Sequence, residues 1–154
     1  MTRRRQRGIS TVEFAIVAAA FFMILLGAIE ISRLLFTWNT LDAIAQRAAR
    51  LAAVCTANDP AIATIAAGFG ASGASPLPGF TAANLQITYL DEGFAAASGG
   101  LSDTSFVRAQ IVGYQIELAI PFINNTGLTS PTFTAVVPSE SLGYIPETGG
   151  QSCA

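Results

Sequence analysis

An apolar run near the N-terminus limits the folds open to this chain more than any other feature. From Ile9 to Ile29 the only charged residue is Glu13, and no proline interrupts the run. An α-helix rises about 1.5 Å per residue, so twenty residues cover about 30 Å, the thickness of the hydrocarbon core of a bilayer. A cleavable secretory signal fits less well, because its apolar segment is usually shorter. We therefore predict a transmembrane helix over residues 9–29.

The charges on either side of this run predict its orientation. Residues 1–8 contain four arginines and no acid, and basic residues accumulate on the cytoplasmic side of membrane helices. Residues 56–154 contain seven acids against Arg108 alone, a net charge of −6. We expect residues 1–8 to be a cytoplasmic leader and everything after Glu30 to lie on the other side. An acidic domain repels phosphate groups, so we expect no nucleic-acid partner.

The helical pattern continues beyond the membrane. Apolar residues recur at steps of three and four positions while charged and amide side chains fill other faces, which is typical of an amphipathic helix. We predict that residues 30–57 extend the same helix and that Trp38 packs on the following domain. The expected apolar face contains Ile31, Leu34 or Leu35, Trp38, Leu41, Ala45, Ala48, Ala52 and Cys55.

Residues 58–154 have the pattern of a small α+β domain. Asp59 and Pro60 suit the N-cap and first position of a short helix over residues 61–67. Period-two alternation predicts three strands, and strands that follow one another favour an antiparallel meander packed on the apolar face of the long helix. The predicted strands cover residues 85–90, 106–120 with a bend or bulge at Gly113, and 133–137, with a turn region at 124–131 and a tail from 143 to 154.

The chain has two cysteines, Cys55 and Cys153. In a reducing cytosol they would stay free thiols, whereas outside it they can pair. A bond between them would close a loop of roughly 100 residues and stabilise the fold by about 4–5 kcal/mol in the chain-entropy model. We predict this disulfide.

The composition offers little for catalysis or metal binding. Histidine and lysine are absent, and no acid–base or nucleophile set stands out, so we expect neither an enzyme nor a cofactor. Asp91, Glu92 and Asp103 lack the regular spacing of a calcium loop and are interpreted as a solvated acidic loop, with no metal expected. Gly68-x-Gly70 and Gly99-Gly100 are interpreted as loop glycines, because no strand-to-helix context for a phosphate surrounds them.

The N-terminal residues resemble a known family. The run Arg7-Gly8-Ile9-Ser10-Thr11-Val12-Glu13-Phe14, followed by "GAIEISRLLFTWNTLDAIAQRAARLAAV" over residues 27–54, is similar to the TadE-like family. These proteins are minor pseudopilins of the tight-adherence (Flp) pilus, a branch of the type IV pilus systems. The likeness covers about residues 7–54. The later strands agree only in pattern, and "FTAVVPSESLG" stands where relatives commonly carry a Met-Arg-Val-Glu-like run.

The resemblance implies a cut between Gly8 and Ile9 by a prepilin peptidase on the cytoplasmic face. Glu13 would become the fifth residue of the mature chain, and Glu13 and Phe14 would serve in processing and assembly. It also implies a pilin-like fold anchored in the bacterial inner membrane, whose long helix packs with other pilins or pseudopilins, and a periplasmic head. The expected function is structural, in pilus biogenesis or in the pilus itself. The alternative is an uncut single-pass envelope protein whose head is a binding or sensing module.

Physical chemistry gives Glu13 two interpretations. A charged side chain near the bilayer centre costs about 3 kcal/mol, and less near the interface. A cut before Ile9 would create an ammonium group about one helical turn away, which could neutralise the carboxylate in an assembled bundle. Otherwise the glutamate is simply tolerated near the end of an ordinary anchor. The residues alone leave both open, and the surrounding motif favours the first.

Overall fold

The N-terminal third of the chain forms one continuous helix, α1, over Ile9–Val54. The computed structural model describes residues 9–68, 75–99, 101–118 and 127–144 of the 154-residue chain. Three hydroxyls in α1 donate to carbonyl oxygens four residues earlier, at 2.8–2.9 Å, so they do not compete for other partners. The remaining elements are α2 (Ala61–Ala67), β1 (Leu85–Leu90), β2 (Phe106–Ile111), β3 (Gln115–Ile116), β4 (Leu128–Thr129) and β5 (Phe133–Pro138).

The predicted α+β class with a three-stranded antiparallel sheet is confirmed. The sheet has the order β1-β2-β5, and both neighbouring pairs are antiparallel. Strand β1 and helix α2 have the predicted bounds. At the start of α2, the Asp59 carboxylate accepts a hydrogen bond from the Ala61 N–H at 2.8 Å, and Pro60 already has helical angles.

The single strand predicted over residues 106–120 is wrong. Strand β2 ends at Ile111, and Gly113 follows with φ +65°, a left-handed conformation that turns the chain out of the sheet. Beyond this turn, β3 pairs with β4 in a separate two-stranded sheet. Residues 128–129 therefore form a strand inside the segment predicted to be a turn, while residues 119–126 lie outside the described part of the chain.

The C-terminal half of α1 supplies most of the core of the head, the domain formed by the strands and α2. The predicted apolar face is confirmed from Leu34 onward, and Trp38 packs against the core as expected. Ile31 and Leu35 are instead 61% and 50% exposed, because the head covers the helix only from about Leu34. The buried positions of the helix are Thr40, Leu41, Ile44, Ala45, Ala48, Ala49, Ala52 and Ala53.

A distant segment caps the C-terminal end of α1. Helix α1 ends at Val54 rather than near residue 57, because its last carbonyl groups are bonded by residues 140–143. The Ala53 carbonyl accepts two backbone N–H groups at 3.1 Å, and the Val54 carbonyl accepts one at 2.7 Å and a serine hydroxyl at 3.2 Å; the donors are Glu140, Leu142, Gly143 and Ser141. The buried Leu142 side chain joins the core cluster next to the helix end.

Gly143 allows this cap to approach the helix. Its φ is +82°, and a Cβ built there would lie 2.6 Å from the backbone nitrogen of Thr56. Gly79 has a similar φ of +72°, but nothing lies within 4 Å of a Cβ built there. The two glycines therefore separate conformational cost from steric cost.

We expect Gly143→Ala to lower the free energy of unfolding of the head by about 2–5 kcal/mol, the sum of a left-handed alanine and an overpacked contact. The control, Gly79→Ala, should cost only about 1–2 kcal/mol, because it carries the conformational term alone. Urea unfolding of the full chain in detergent, followed by the fluorescence of Trp38, measures both. Equal losses in the two variants would contradict the steric part.

Tyr114, the residue before β3, bonds to the loop that precedes β1. Its hydroxyl donates a hydrogen bond to the Pro78 carbonyl oxygen at 2.9 Å, and the residue is 5% exposed. Burial, and then the negative charge of Glu117, raise the pKa of Tyr114 above its ordinary value of 10.0. The folded state therefore holds the phenol proton more tightly than the unfolded state does.

This raised pKa predicts a loss of stability in alkali. The contribution of neutral Tyr114 is complete below the ordinary tyrosine pKa of about 10, and is lost as the pH rises through the folded-state value. Tyr114→Phe should cost about 1 kcal/mol at neutral pH, from the lost hydrogen bond, and should lose less stability than the wild type between about pH 8 and pH 11. Urea unfolding at both pH values measures this. Tyr144→Phe, at a 60% exposed position, is the control; an unchanged alkaline loss in Tyr114→Phe would overturn the prediction.

Candidate functional site

The N-terminal half of α1 is an uncovered apolar surface. Within the part of the chain that the structure describes, α1 is the one helix long and apolar enough to cross a membrane, and none of its most apolar stretch is buried. Large apolar side chains are exposed from Val12 to Phe36, and Phe14 is 74% exposed. A surface of this size is unstable in water, so α1 can be an anchor in a membrane, as predicted.

The predicted processing residues lie at the start of this surface. Gly8 and the four arginines lie outside the described residues, and α1 begins at Ile9. Glu13 is one turn further along the helix, about 6 Å from Ile9 by helical rise. Its side chain is exposed, and among the described residues no hydrogen bond or ion pair reaches it. The geometry therefore leaves the Glu13 carboxylate accessible to a partner near the N-terminal end of the helix.

A pair of opposite charges, Glu30 and Arg33, lies at the other end of the apolar run. The Arg33 guanidinium donates a hydrogen bond to the Glu30 carboxylate at 3.0 Å, one turn apart on the same helix. Exposed apolar residues continue beyond this pair, at Leu35 and Phe36. Sequence reasoning missed this extension because Leu35 shares the period of the buried face, and only the position of the head shows that it is uncovered.

An open groove lies where α1 meets the base of the head. Apolar residues of α1 between Phe21 and Phe36 form its floor, and the loop of Pro76, Leu77 and Pro78 forms its other wall. Leu77 is buried against the helix, whereas both prolines are exposed. The position of the prolines against α1 could be found only from the structure.

The acids of the predicted solvated loop bind backbone amides. The Asp91 carboxylate accepts hydrogen bonds from the N–H groups of Gly93 and Ala95 at 2.8 and 2.9 Å. Asp103 accepts one from Gly99 at 3.3 Å. These carboxylates hold the loop between β1 and β2, while Glu92 is exposed. Within the described ranges no group of histidine, cysteine and acidic side chains has the arrangement of a metal site.

The glycines set aside in the sequence have local roles where the structure describes them. Gly68 ends α2: its N–H donates to the Thr64 carbonyl oxygen, and its own carbonyl oxygen accepts a hydrogen bond from Arg47. Gly70 and Gly100 lie outside the described residues. Gly68 and Gly99 therefore take part in loop structure.

Cys55 is 1% exposed and lies in the core cluster beside the capped end of α1. Its predicted partner, Cys153, lies outside the described residues. The pairing of the two cysteines therefore stays a prediction.

Comparison with known proteins gives one match, to a family model described as TadE-like protein, over residues 8–50. No curated protein and no solved structure matches the chain. The matched segment contains Gly8, Ile9, Glu13 and Phe14, the exposed half of α1 and the Glu30–Arg33 pair. The match links this segment to a structural family associated with the Tad pilus, and α1 is long and apolar enough to cross a membrane. The resemblance seen in the sequence is thereby confirmed, and over residues 8–50 this chain is TadE-like.

Proposed function

We propose that this protein is a minor pseudopilin of a tight-adherence (Flp) pilus, which helps to build the pilus at the bacterial inner membrane. Residues 1–8 are the cytoplasmic leader, 9–29 the membrane span, 30–57 its extension and 58–154 the periplasmic head. The observation that carries the proposal is the coincidence of two features: the segment that matches the TadE-like model contains the whole apolar surface that α1 leaves uncovered between Val12 and Phe36.

The uncovered helix supports a role in helix packing. A simple anchor needs about 20 apolar residues, but exposed apolar side chains extend from Val12 to Phe36. The additional turns lie beyond the predicted span, where water would meet Leu35 and Phe36. Packing against the helices of other pilin-like subunits removes these side chains from water and continues the bundle from the membrane to the heads.

Removal of the leader would change the charge at the N-terminal end of α1. Four arginines hold the uncut chain at the cytoplasmic surface. A prepilin peptidase cutting between Gly8 and Ile9 removes them and leaves a single ammonium group on Ile9. The charge that opposes movement of the helix out of the membrane is then smaller, and extraction into a growing assembly becomes less unfavourable.

The new ammonium group is also the natural partner of Glu13. A carboxylate in a low-dielectric bundle is strongly unfavourable unless a hydrogen-bonded counter-charge accompanies it. The amine of Ile9 on the same or a neighbouring subunit lies within one turn of the carboxylate along the helix axis. Pairing the two neutralises both charges.

The alternative function is an uncut single-pass envelope protein whose head binds or senses a ligand. It is favoured by the size of the head, which has two sheets and a core built around the C-terminal half of α1. In that case the chain would not be cut before Ile9, and a change at Glu13 would not alter piliation. These two measurements separate the proposals.

Cleavage is tested on the protein itself. Intact-mass measurement of membrane-extracted wild-type protein should show a chain that begins at Ile9, and Gly8→Leu should show the full-length mass, because the larger side chain blocks the peptidase. Thr2→Leu, the same replacement outside the cleavage motif, is the control and should be cut normally. A wild-type protein that retains residues 1–8 in cells with an active peptidase would refute this step.

The role of Glu13 is tested with an isosteric change. Glu13→Gln keeps the shape and removes the charge, so cells should show at least about a tenfold loss of pili, equivalent to about 1.4 kcal/mol, with normal protein levels. Glu30→Gln is the matched control, because Glu30 pairs with Arg33 on its own helix and does not need the new amine. Counts of pili by electron microscopy give the result. Normal piliation in Glu13→Gln and Glu13→Leu would favour the uncut anchor instead.

A further inference from the structure

Strand β5 is an edge of the three-stranded sheet, and the hydrogen-bond pattern shows which of its groups face outward. The N–H of Ser139 donates to the Ser105 carbonyl oxygen at 2.9 Å, in register with the β2–β5 ladder. Because alternate residues of an antiparallel strand face the partner strand, Phe133, Ala135 and Val137 bond to β2. The N–H and C=O groups of Thr134 and Val136 therefore face away from the sheet.

These four backbone groups have no partner among the residues that the structure describes. Thr134 and Val136 are both exposed, the latter at 43%. Proteins usually protect an exposed edge with charges, prolines, bulges or covering segments. No charged residue occurs from Phe133 to Pro138, and Pro138, which lacks an N–H, limits the open stretch to Thr134 and Val136. The edge of β5 is thus able to accept another strand.

The opposite edge of the sheet is protected. Residues 95–97 run beside the end of β1, where Ala97 donates to the Tyr89 carbonyl oxygen at 3.0 Å and Asp91 donates to Ala95 at 2.9 Å. At the other end of β1, the N–H of Leu85 is bonded to the Ala82 carbonyl oxygen. A strand lying along the whole of β1 would meet residues 95–97, so within the described ranges the open edge is that of β5.

The side chains of β5 indicate what the added strand must carry. Phe133, Ala135 and Val137 point toward α1 and pack on the core, yet each stays partly exposed. A strand with apolar residues at every second position would cover them and continue the inner face of the sheet. Charged residues on that face would be left without partners, so the complementary strand is uncharged there.

A second copy of this chain does not fit this edge in one membrane. Two β5 strands could pair antiparallel with Thr134 of one copy opposite Val136 of the other, which would satisfy all four groups. The two-fold axis of such a pair is perpendicular to the sheet. Helix α1 packs on one face of the sheet, so this axis would reverse α1 and point the two apolar spans in opposite directions. Copies would also repel each other, because the head carries a net charge of −6 over residues 56–154, seven acids against one arginine.

We propose that the β5 edge binds a β-strand from the head of a different membrane-anchored, pilin-like subunit, through backbone hydrogen bonds to Thr134 and Val136. The added strand extends the sheet and covers the exposed half of its inner face. This inference rests on the part of the proposed function that places the protein in an assembly of pilin-like subunits, and it does not depend on cleavage at Gly8.

Photo-crosslinking in cells that assemble the pilus tests the proposal. Full-length protein carries a benzophenone amino acid in place of Val136 and, as a control, in place of Gln86, an exposed position on the outer face of the protected strand β1. We expect a light-dependent adduct at position 136 at least about tenfold stronger than at position 86. Peptide mapping of the adduct should place the crosslink on an extended segment of another subunit with apolar residues at alternate positions.

Backbone variants then test the strand pairing. In the crosslinking chain, Thr134→Pro removes the outward N–H, and Thr134→Lys adds a charge to the edge, while neither change removes a hydrogen bond within the head. Both should reduce the adduct at least about tenfold, whereas Thr134→Val should leave it unchanged. Urea unfolding checks that the head of each variant is folded. If the Thr134→Pro head is unfolded, the result for Thr134→Lys decides the test.

Three outcomes would overturn the proposal: an adduct with a second copy, no adduct at position 136, or an adduct with another subunit that survives Thr134→Lys. Failure here leaves the proposed function intact, because the mass and piliation measurements concern the other end of α1. Conversely, a chain that is not cut at Gly8 but still gives the strand adduct would refute the cleavage step and leave the strand-pairing proposal intact.

Discussion

The structure depends on one helix being shared between two environments. The C-terminal half of α1 is the central element of the head's core, where Leu41, Ile44 and a series of alanines are fully buried. The N-terminal half of the same helix is exposed and apolar. Because the helix is continuous from Ile9 to Val54, any tilt or displacement of the apolar half is transmitted to the sheet. Anchor and head are therefore mechanically one unit.

The small residues in the buried half of α1 explain how the sheet approaches so closely. Ala45, Ala48, Ala49 and Ala52 have no exposed surface and leave room for β2 and β5 to pack directly against the helix backbone. The larger residues Leu41 and Ile44 fill the space near the base of the head. This division gives the head a dense core from few strands, while the charged residues of the helix stay on other faces.

Sequence periodicity predicted those parts of the fold that depend on neighbouring residues. Strand β1, helix α2 and the apolar face beyond Leu34 follow from alternation, from the Asp59-Pro60 pair and from three- and four-residue steps. The break of β2 after Ile111 could not be predicted with the same certainty, because Gly113 is compatible with either a bulge or a turn and tertiary pairing with β4 decides between them. Likewise Ile31 and Leu35 share the period of the buried face, and only the position of the head leaves them exposed.

The candidate site was accessible to sequence reasoning for a different reason. Glu13 is conspicuous because a lone carboxylate in an apolar run has a large free-energy cost, and Gly8, Ile9 and Phe14 were identified through the family resemblance around it. The open edge of β5 carries no such signal. Thr134 and Val136 are ordinary strand residues. Only the strand order shows that β2 lies on one side of β5 and that the backbone groups of these two residues face the other side.

The cap at the end of α1 has a consequence for the order in which the protein forms. The helix is synthesised early, yet the groups that complete its last turn lie on residues 140–143, with Ser141 and Val54 87 positions apart in the chain. Until that segment has left the ribosome, the carbonyl groups of Ala53 and Val54 lack their partners and Leu142 cannot fill its place in the core. The head therefore cannot complete its core before residues 140–143 are available, so a nascent chain stalled before residue 140 has the whole of α1 but an incomplete domain around its C-terminal half.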